Sequence, residues 1–394
     1  MQNHGVGTES FDKLIQLFNT DYFMNYSNKF SRAALVAGIA LCVSGAFAQP
    51  AASDKPYKII NSAQSLGTGG IDYVAADSEG RRLYVPRGGQ VLVFDLDTLK
   101  SVGAIPDAKG VHGAAIDPKS KHGFSSSNPV LMWDTETLKT IKTIEVQGRP
   151  DGIIFEPETE RIYVLSHSQP NATVIDAKDG SIVGTIDLGG APEQAASDGH
   201  GHLYVDIEDK DNIAVVDVKT MKVTAHYDLG GKGGTPAGLG LDAKNHILFA
   251  FCRNPATAVI LNADDGKILA TLPIGKGTDG GGFNPHTMEA FSSQGDGTLT
   301  IIKEKSPTEF EVAQTVQTKS RAKTCTLDMK NNSIVLITTS PAPETAAVPQ
   351  ANPNPTVGGT QLGAGGNQPG GRRVGGGGGG RGGPALLDII VVGR

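Results

Sequence analysis

The chain has 394 residues, and its 52 glycines and 22 prolines predict a fold made of many short elements joined by turns. Its formal net charge of −6 supplies no basic surface for nucleic acid, so nucleic-acid binding is not expected. Only Cys252 and Cys325 lie beyond the amino-terminal segment, which excludes a disulfide-stabilised scaffold.

The amino-terminal segment has the pattern of a secretory signal. Lys29 and Arg32 precede a short apolar run and an Ala-x-Ala sequence that ends at Ala48. The run suits a signal and is shorter than the roughly 20 residues of a membrane span. We therefore expect a signal peptide at 24–48 and a periplasmic or secreted mature protein without a transmembrane segment. Residues 1–23 fit neither the signal nor the fold, and we interpret them as a non-native or mis-assigned extension.

The region that follows, residues 49–394, is built from a repeat. Seven stretches alternate apolar residues and close on an acidic or amide residue at intervals of 39 to 44 residues. This interval is typical of one blade of a β-propeller. The closing residues are Asp77, Asp117, Glu156, Asp198, Asp242, Asn284 and Asp328.

Each repeat holds four predicted strands. In the third repeat, the strand that closes at Glu156 is followed by strands at 161–164, 172–176 and 182–188, separated by turn residues. Four strands in each of seven repeats predict an all-β fold, a seven-bladed β-propeller of four-stranded antiparallel blades.

The third repeat also carries a resemblance to a known family. Its block runs from Arg161-Ile162-Tyr163-Val164 through Val174-Ile175-Asp176 to Gly184-Thr185-Ile186-Asp187-Leu188. This block resembles the YVTN-repeat (YncE-like) propellers, which are of the WD40/YVTN type, although Leu165-Ser166 stands where the family usually has Thr-Asn. The resemblance implies an exported seven-bladed propeller. The fold also resembles that of lactone-opening enzymes and amine dehydrogenase subunits, so the resemblance leaves the chemistry open.

The seventh repeat is incomplete within its own stretch of sequence. Its first two strands are followed by residues 341–384, which are rich in Gly and Pro and are expected to form a disordered insertion beside the channel mouth. A third strand returns at 386–392. Residues 57–60 have fourth-strand character, so we expect this amino-terminal strand to pair into the last blade and close the ring.

The channel mouth is where ligand-binding side chains are expected. Five residues before each closing residue, six of seven positions are polar or charged, and the loops between second and third strands reach the same face. Carboxylates about 5 Å apart repel by roughly 3 kcal/mol at an effective dielectric near 20, so an acidic mouth calls for a basic side chain, shared protons or a divalent cation. The candidate ligand-binding residues are Asp72, His112, Asp151, Glu193, Asp279, Lys323, Arg87, His167 and Arg253.

Three functions fit this sequence. The first is a binding or scaffold module that receives a small molecule or a protein at the mouth, as a monomer. The second is a lactone hydrolase or related metal-assisted enzyme, with Asp151, Glu193 and Asp279 acting beside His112. The third is an electron-transfer or dehydrogenase-associated subunit whose partner carries the cofactor. No cofactor is predicted for the chain itself, and a bound divalent cation is the alternative.

Overall fold

The computed structural model describes residues 55–342 and 384–394. The predicted extension, the predicted signal peptide and most of the Gly-rich insertion lie outside these residues. The described residues form seven four-stranded antiparallel sheets, which confirms the predicted seven-bladed propeller. No helix among them is long and apolar enough to cross a membrane.

The first six blades each take four consecutive strands from the chain, whereas the first strand, β1 (Lys58–Gly67), belongs to the seventh blade. Blade one holds β2 (Ala75–Asp77), β3 (Arg82–Arg87), β4 (Gln90–Asp95) and β5 (Ser101–Ile105). Blade two holds β6 (Ala114–Asp117), β7 (His122–Ser125), β8 (Val130–Asp134) and β9 (Thr140–Ile144). Blade three holds β10 (Pro150–Glu156), β11 (Arg161–Ser166), β12 (Ala172–Asp176) and β13 (Ile182–Ile186).

The second half of the ring repeats this arrangement. Blade four holds β14 (Pro192–Ser197), β15 (His202–Ile207), β16 (Asn212–Asp217) and β17 (Lys222–Asp228). Blade five holds β18 (Pro236–Asp242), β19 (Ile247–Cys252), β20 (Thr257–Asn262) and β21 (Ile268–Pro273). Blade six holds β22 (Thr278–Asn284), β23 (Glu289–Gln294), β24 (Thr298–Ser306) and β25 (Glu309–Gln317). Blade seven adds β26 (Thr324–Asp328), β27 (Ser333–Pro341) and β28 (Ala385–Gly393) to β1.

The closing residue of each repeat shapes the turn between the first and second strands. Asp77 accepts a hydrogen bond from the backbone N–H of Gly80 at 2.8 Å, and Asp328 accepts one from that of Lys330 at 3.2 Å. Asp and Asn form such turns because their short side chains reach backbone groups a few residues ahead. The repeat signal in the sequence is therefore a turn signal at the face opposite the channel mouth.

The apolar core lies between neighbouring blades. Between blades one and two, the fully buried ring of Trp133 packs against Tyr84, with ring centroids 5.8 Å apart. A Cβ atom at Gly123 would lie 2.2 Å from the Trp133 ring, so only glycine leaves room for it. Each gap between blades is closed by packing of this kind, which makes the ring one cooperative unit.

The amino-terminal strand closes the ring as expected. β1 pairs antiparallel with β28 along its length, from Lys58 opposite Gly393 to Gly67 opposite Ala385. This strand is longer than the predicted 57–60 segment. The order β1-β28-β27-β26 completes the seventh blade with residues from both ends of the described chain.

The residue before β1 and the residue after β28 also bind side chains of blade six. The backbone N–H and C=O of Tyr57 each form a 2.8 Å hydrogen bond with the side chain of Gln314. The Tyr57 hydroxyl donates to Glu289 at 2.8 Å, and the Arg394 guanidinium lies 4.2 Å from the centre of the Tyr57 ring and pairs with Glu289. We call Tyr57, Glu289, Gln314 and Arg394 the clasp.

Candidate functional site at the channel mouth

The innermost strands begin, and the loops between second and third strands turn, at the same face of the propeller. Because the first strand runs away from this face and the second returns to it, side chains from both segments meet around the channel. The structure brings together eight of the nine predicted site residues there, with at least one from every blade. We call them the mouth ring: Asp72, His112, Asp151, His167, Glu193, Arg253, Asp279 and Lys323.

Carboxylates and basic side chains alternate around the mouth ring. On one side, His112 Nδ1 lies 2.8 Å from Asp72 Oδ2 and 3.1 Å from Asp151 Oδ1. His167 Nε2 lies 3.4 Å from Asp151 Oδ2 and 3.9 Å from Glu193 Oε1. Asp151 thus faces both imidazoles, one with each oxygen. We call these five residues the histidine half.

Permanent cations occupy the other side of the mouth ring. Arg253 Nη1 lies 3.4 Å from Glu193 Oε1 and 2.9 Å from Glu208 Oε2, while its Nη2 contacts Asp279. Lys323 Nζ contacts the second oxygen of Asp279. Asp279 is therefore paired with an arginine and a lysine side chain at once.

A tyrosine crosses the mouth beneath the mouth ring. The Tyr73 hydroxyl donates to Glu193 and lies 3.4 Å from Asp151 Oδ2, so the side chain reaches from blade one to blades three and four. Below it, a channel of about 640 Å³ runs between the innermost strands, lined by Phe155 and Phe283 and, at the opposite end, by Met329. The charged site thus lies above a largely apolar channel.

Burial changes the protonation of the carboxyl groups around Tyr73. Burial raises the pKa of Asp151, although His167 and His112 oppose the shift. Burial raises the pKa of Glu193 to about 9 against the attraction of Arg253, so this carboxyl group holds a proton at neutral pH. The pKa of Tyr73 is also raised, chiefly by burial and then by the nearby carboxylates.

Neighbouring carboxylates raise the pKa of two basic groups of the site. The hydrogen bond to Asp72 raises the pKa of His112, and the Asp151 charge adds to this shift against the effect of burial. Burial alone would lower the pKa of Arg253, but Asp279 and then Glu193 outweigh it and raise the pKa above its usual value. The site therefore combines a neutral acid, carboxylates and cations within one network.

Arg87 is the predicted site residue that the structure does not bring into the mouth ring. Its side chain is buried, with Nη1 donating to the backbone oxygen of Ser65 at 3.2 Å and Nη2 to that of Ala385 at 2.7 Å. These oxygens belong to β1 and β28. Arg87 therefore fastens the closing strands near the mouth-side end of β27, where Pro341 pairs with Ala385 and the insertion leaves the blade.

Three residues of the site are not among the candidate ligand-binding residues predicted from the sequence. Glu208 pairs with Arg253, and Gln194 donates to the Gly281 backbone oxygen at 2.9 Å while accepting from the Leu239 N–H at 3.0 Å. The third is Tyr73. The sequence held a signal for two of them. In four repeats a glycine follows the predicted mouth residue, five before the closing residue, whereas Tyr73 and Gln194 occupy this place in repeats one and four. The four glycines are Gly113, Gly152, Gly238 and Gly280.

Comparisons with known proteins identify the fold. No family model matches the chain, and no curated protein matches it. A solved structure described as the crystal structure of RRP9 WD40 repeats is similar with a TM-score of 0.59 and 11% identity, over 69% of this chain and 89% of that one. A chain of the mitotic checkpoint complex is similar with a TM-score of 0.63 and 12% identity, over 79% of this chain and 95% of that one. At this identity the likeness supports the propeller fold with WD40-repeat neighbours.

Proposed function

We propose that this protein is an exported propeller of the YVTN type and that its mouth ring is the contact surface for a ligand or protein partner. The single observation that carries the proposal is the continuous network of eight charged or titratable side chains that all seven blades contribute at one mouth. Propellers commonly present such a mouth to their partners, and rigid strands keep its side chains in place for binding.

The charges of the site favour a positively charged group on the ligand. Around Tyr73 the carboxyl groups, including Glu208, outnumber the permanent cations Arg253 and Lys323. A cationic group of the ligand would pair with the excess carboxylates. These carboxylates are partly removed from water, where charge pairing is stronger than at an open surface.

Site-specific photo-crosslinking in the exporting cell tests the proposal. A photoreactive residue replaces Lys323, whose side chain is 48% exposed at the mouth, and a matched variant carries it at Lys119, which is 74% exposed at the opposite face. Adducts with a protein or a small molecule are expected at position 323 and not at 119. Equal labelling of both positions, or adducts at 119 alone, would contradict a mouth-directed function.

Export is tested separately by the fate of the amino terminus. Secreted or periplasmic protein is expected to begin at Gln49, as read by intact mass, whereas Ala48→Arg is expected to leave the precursor uncleaved. Accumulation of unprocessed wild-type chain in the cytoplasm would contradict export.

A hydrolase is the second candidate, and the state of Glu193 favours it. A carboxyl group that stays protonated at neutral pH, 3.9 Å from His167 and beside Asp151, is the arrangement from which an acid–base pair is built. Purified protein would then open lactone rings, and Glu193→Gln would abolish turnover. Lactone hydrolysis that is absent, or equal in both proteins, would leave binding as the function.

A further inference from the structure

We propose that His167, Asp151 and Glu193 of the histidine half bind one divalent transition-metal ion, with His112 holding the other oxygen of Asp151. The inference rests on the proposed function, because it names a cation that the mouth ring holds. It depends on two ring nitrogens, one that hydrogen bonding does not explain and one that orients the Asp151 carboxylate.

The first of these nitrogens is Nε2 of His167. The atom is buried and forms no hydrogen bond, yet it points at Asp151 Oδ2, 3.4 Å away, and Glu193 Oε1, 3.9 Å away. Ligands bound to a tetrahedral ion at about 2.0–2.2 Å are separated by roughly 3.3–3.6 Å. His167 Nε2 forms no hydrogen bond at these distances, and the spacing suits an ion held among the three atoms in place of the Glu193 proton.

The second nitrogen is Nδ1 of His112, which lies between two carboxylate oxygens. Asp72 Oδ2 is 2.8 Å away and Asp151 Oδ1 is 3.1 Å away. These are hydrogen-bond distances, so His112 fixes the Asp151 carboxylate with its other oxygen, Oδ2, towards His167. The ligand atoms of His167, Asp151 and Glu193 lie within 4.8 Å of one another.

Contacts outside the ligand set hold these groups in position. Glu193 receives the Tyr73 hydroxyl on one oxygen and faces Arg253 with the other. Such outer contacts orient ligands and are a regular feature of metal sites. The imidazoles are about 30% exposed, at 31% for His112 and 27% for His167, so an ion can reach the site from solvent.

The donor set selects among metals. Imidazole nitrogens with carboxylate oxygens suit Zn²⁺, Ni²⁺ and Cu²⁺, whereas Ca²⁺ and Mg²⁺ take oxygen ligands. Arg253 and Lys323 already pair with Asp279 and repel a metal from that side of the mouth ring. The site should therefore prefer Zn²⁺ to Ca²⁺.

Calorimetric titration of untagged mature protein, freed of metal by a chelator, tests the inference. We expect one Zn²⁺ per chain and at least about tenfold weaker binding by Asp151→Asn and by His167→Gln. His246→Gln is the matched control, because His246 also contacts an aspartate, Asp264 at 2.7 Å, but on the exposed surface. Unfolding midpoints of all variants without metal establish that each is folded.

Three results would overturn the metal site: no Zn²⁺ binding, Zn²⁺ binding that is unchanged in both Asp151→Asn and His167→Gln, or Ca²⁺ binding as tight as that of Zn²⁺. The outcome is separable from that of the proposed function. Crosslinking at position 323 that persists with a chelator present would leave partner binding intact when the metal site fails. Zinc bound at the mouth ring with no crosslinks would support the metal site alone.

Discussion

Removing one hydroxyl group from the clasp should weaken the whole propeller. In Tyr57→Phe the ring still packs under Arg394, but Glu289 loses the hydrogen bond that it accepts at 2.8 Å. The Glu289 side chain is only 3% exposed, so water does not replace the donor. Burial and then Glu289 raise the pKa of Tyr57, so the hydroxyl is a donor throughout the neutral range.

The expected cost follows from the charge of the acceptor. A hydrogen bond to a charged group contributes about 1.5–3 kcal/mol, and at about 2 °C per kcal/mol for a large domain a loss of about 2 kcal/mol lowers the midpoint by roughly 4 °C. Thermal unfolding followed by far-ultraviolet circular dichroism and by the fluorescence of Trp133, in blade two, measures the change at two places. Both signals should shift together, because the clasp closes the ring.

Tyr204→Phe is the control for the loss of a buried hydroxyl. Tyr204 donates to the neutral backbone oxygen of Ala263 at 3.1 Å within blades four and five, so its loss should cost about 0.5–1.5 kcal/mol. An unchanged midpoint of Tyr57→Phe, or Trp133 fluorescence that keeps its wild-type midpoint while the dichroism signal shifts, would refute a clasp that stabilises the whole ring.

Three further changes test the closure, the ion pairs and the packing. Deletion of residues 57–66 should lower the unfolding midpoint of the entire ring; an unchanged midpoint would show that β1 is dispensable. Burial would raise the pKa of Asp328, but the hydrogen bonds from an arginine outweigh burial and lower the pKa. The contribution of Asp328 to stability is therefore complete above about pH 4 and is lost as the pH falls further. Asp328→Asn should therefore be less stable at pH 7. Its free energy of unfolding, measured in urea, should change less between pH 5 and pH 3 than that of the wild type. Asp97→Asn, at an exposed partner of the same arginine, should match the wild type. Gly123→Ala should cost about 1–3 kcal/mol in urea unfolding by overlap with the tryptophan ring of β8, and Gly89→Ala, which meets no atom within 4 Å, should be neutral.

The fold could be predicted because a turn-forming residue recurs at the same place in each repeat. An aspartate such as Asp77 or Asp328 recurs where the chain must reverse, and the alternating residues around it specify which side faces the neighbouring blade. Closure could be predicted as well, since the seventh repeat lacked one strand and the segment before the first repeat had one to supply.

The location of the site could be predicted from the sequence, but the contacts between its side chains could not. Repeat position brought His112 and Asp151 together, yet the alternation of carboxylates with basic side chains around the mouth depends on side-chain reach that a repeat does not encode. Tyr73 was missed because four other repeats have a glycine at its place, so the repeat itself predicts no side chain there. Arg87 occupies a mouth loop in the sequence, but its long side chain turns into the blade and binds backbone oxygens there.

The position of zinc in crystals of the mature protein, located by anomalous scattering at the zinc absorption edge, measures most directly whether the mouth ring holds a cation. We expect a peak at the histidine half, within bonding distance of His167 Nε2 and the Asp151 carboxylate. Anomalous peaks found only at surface histidines such as His246, with none at the mouth, would contradict the metal site.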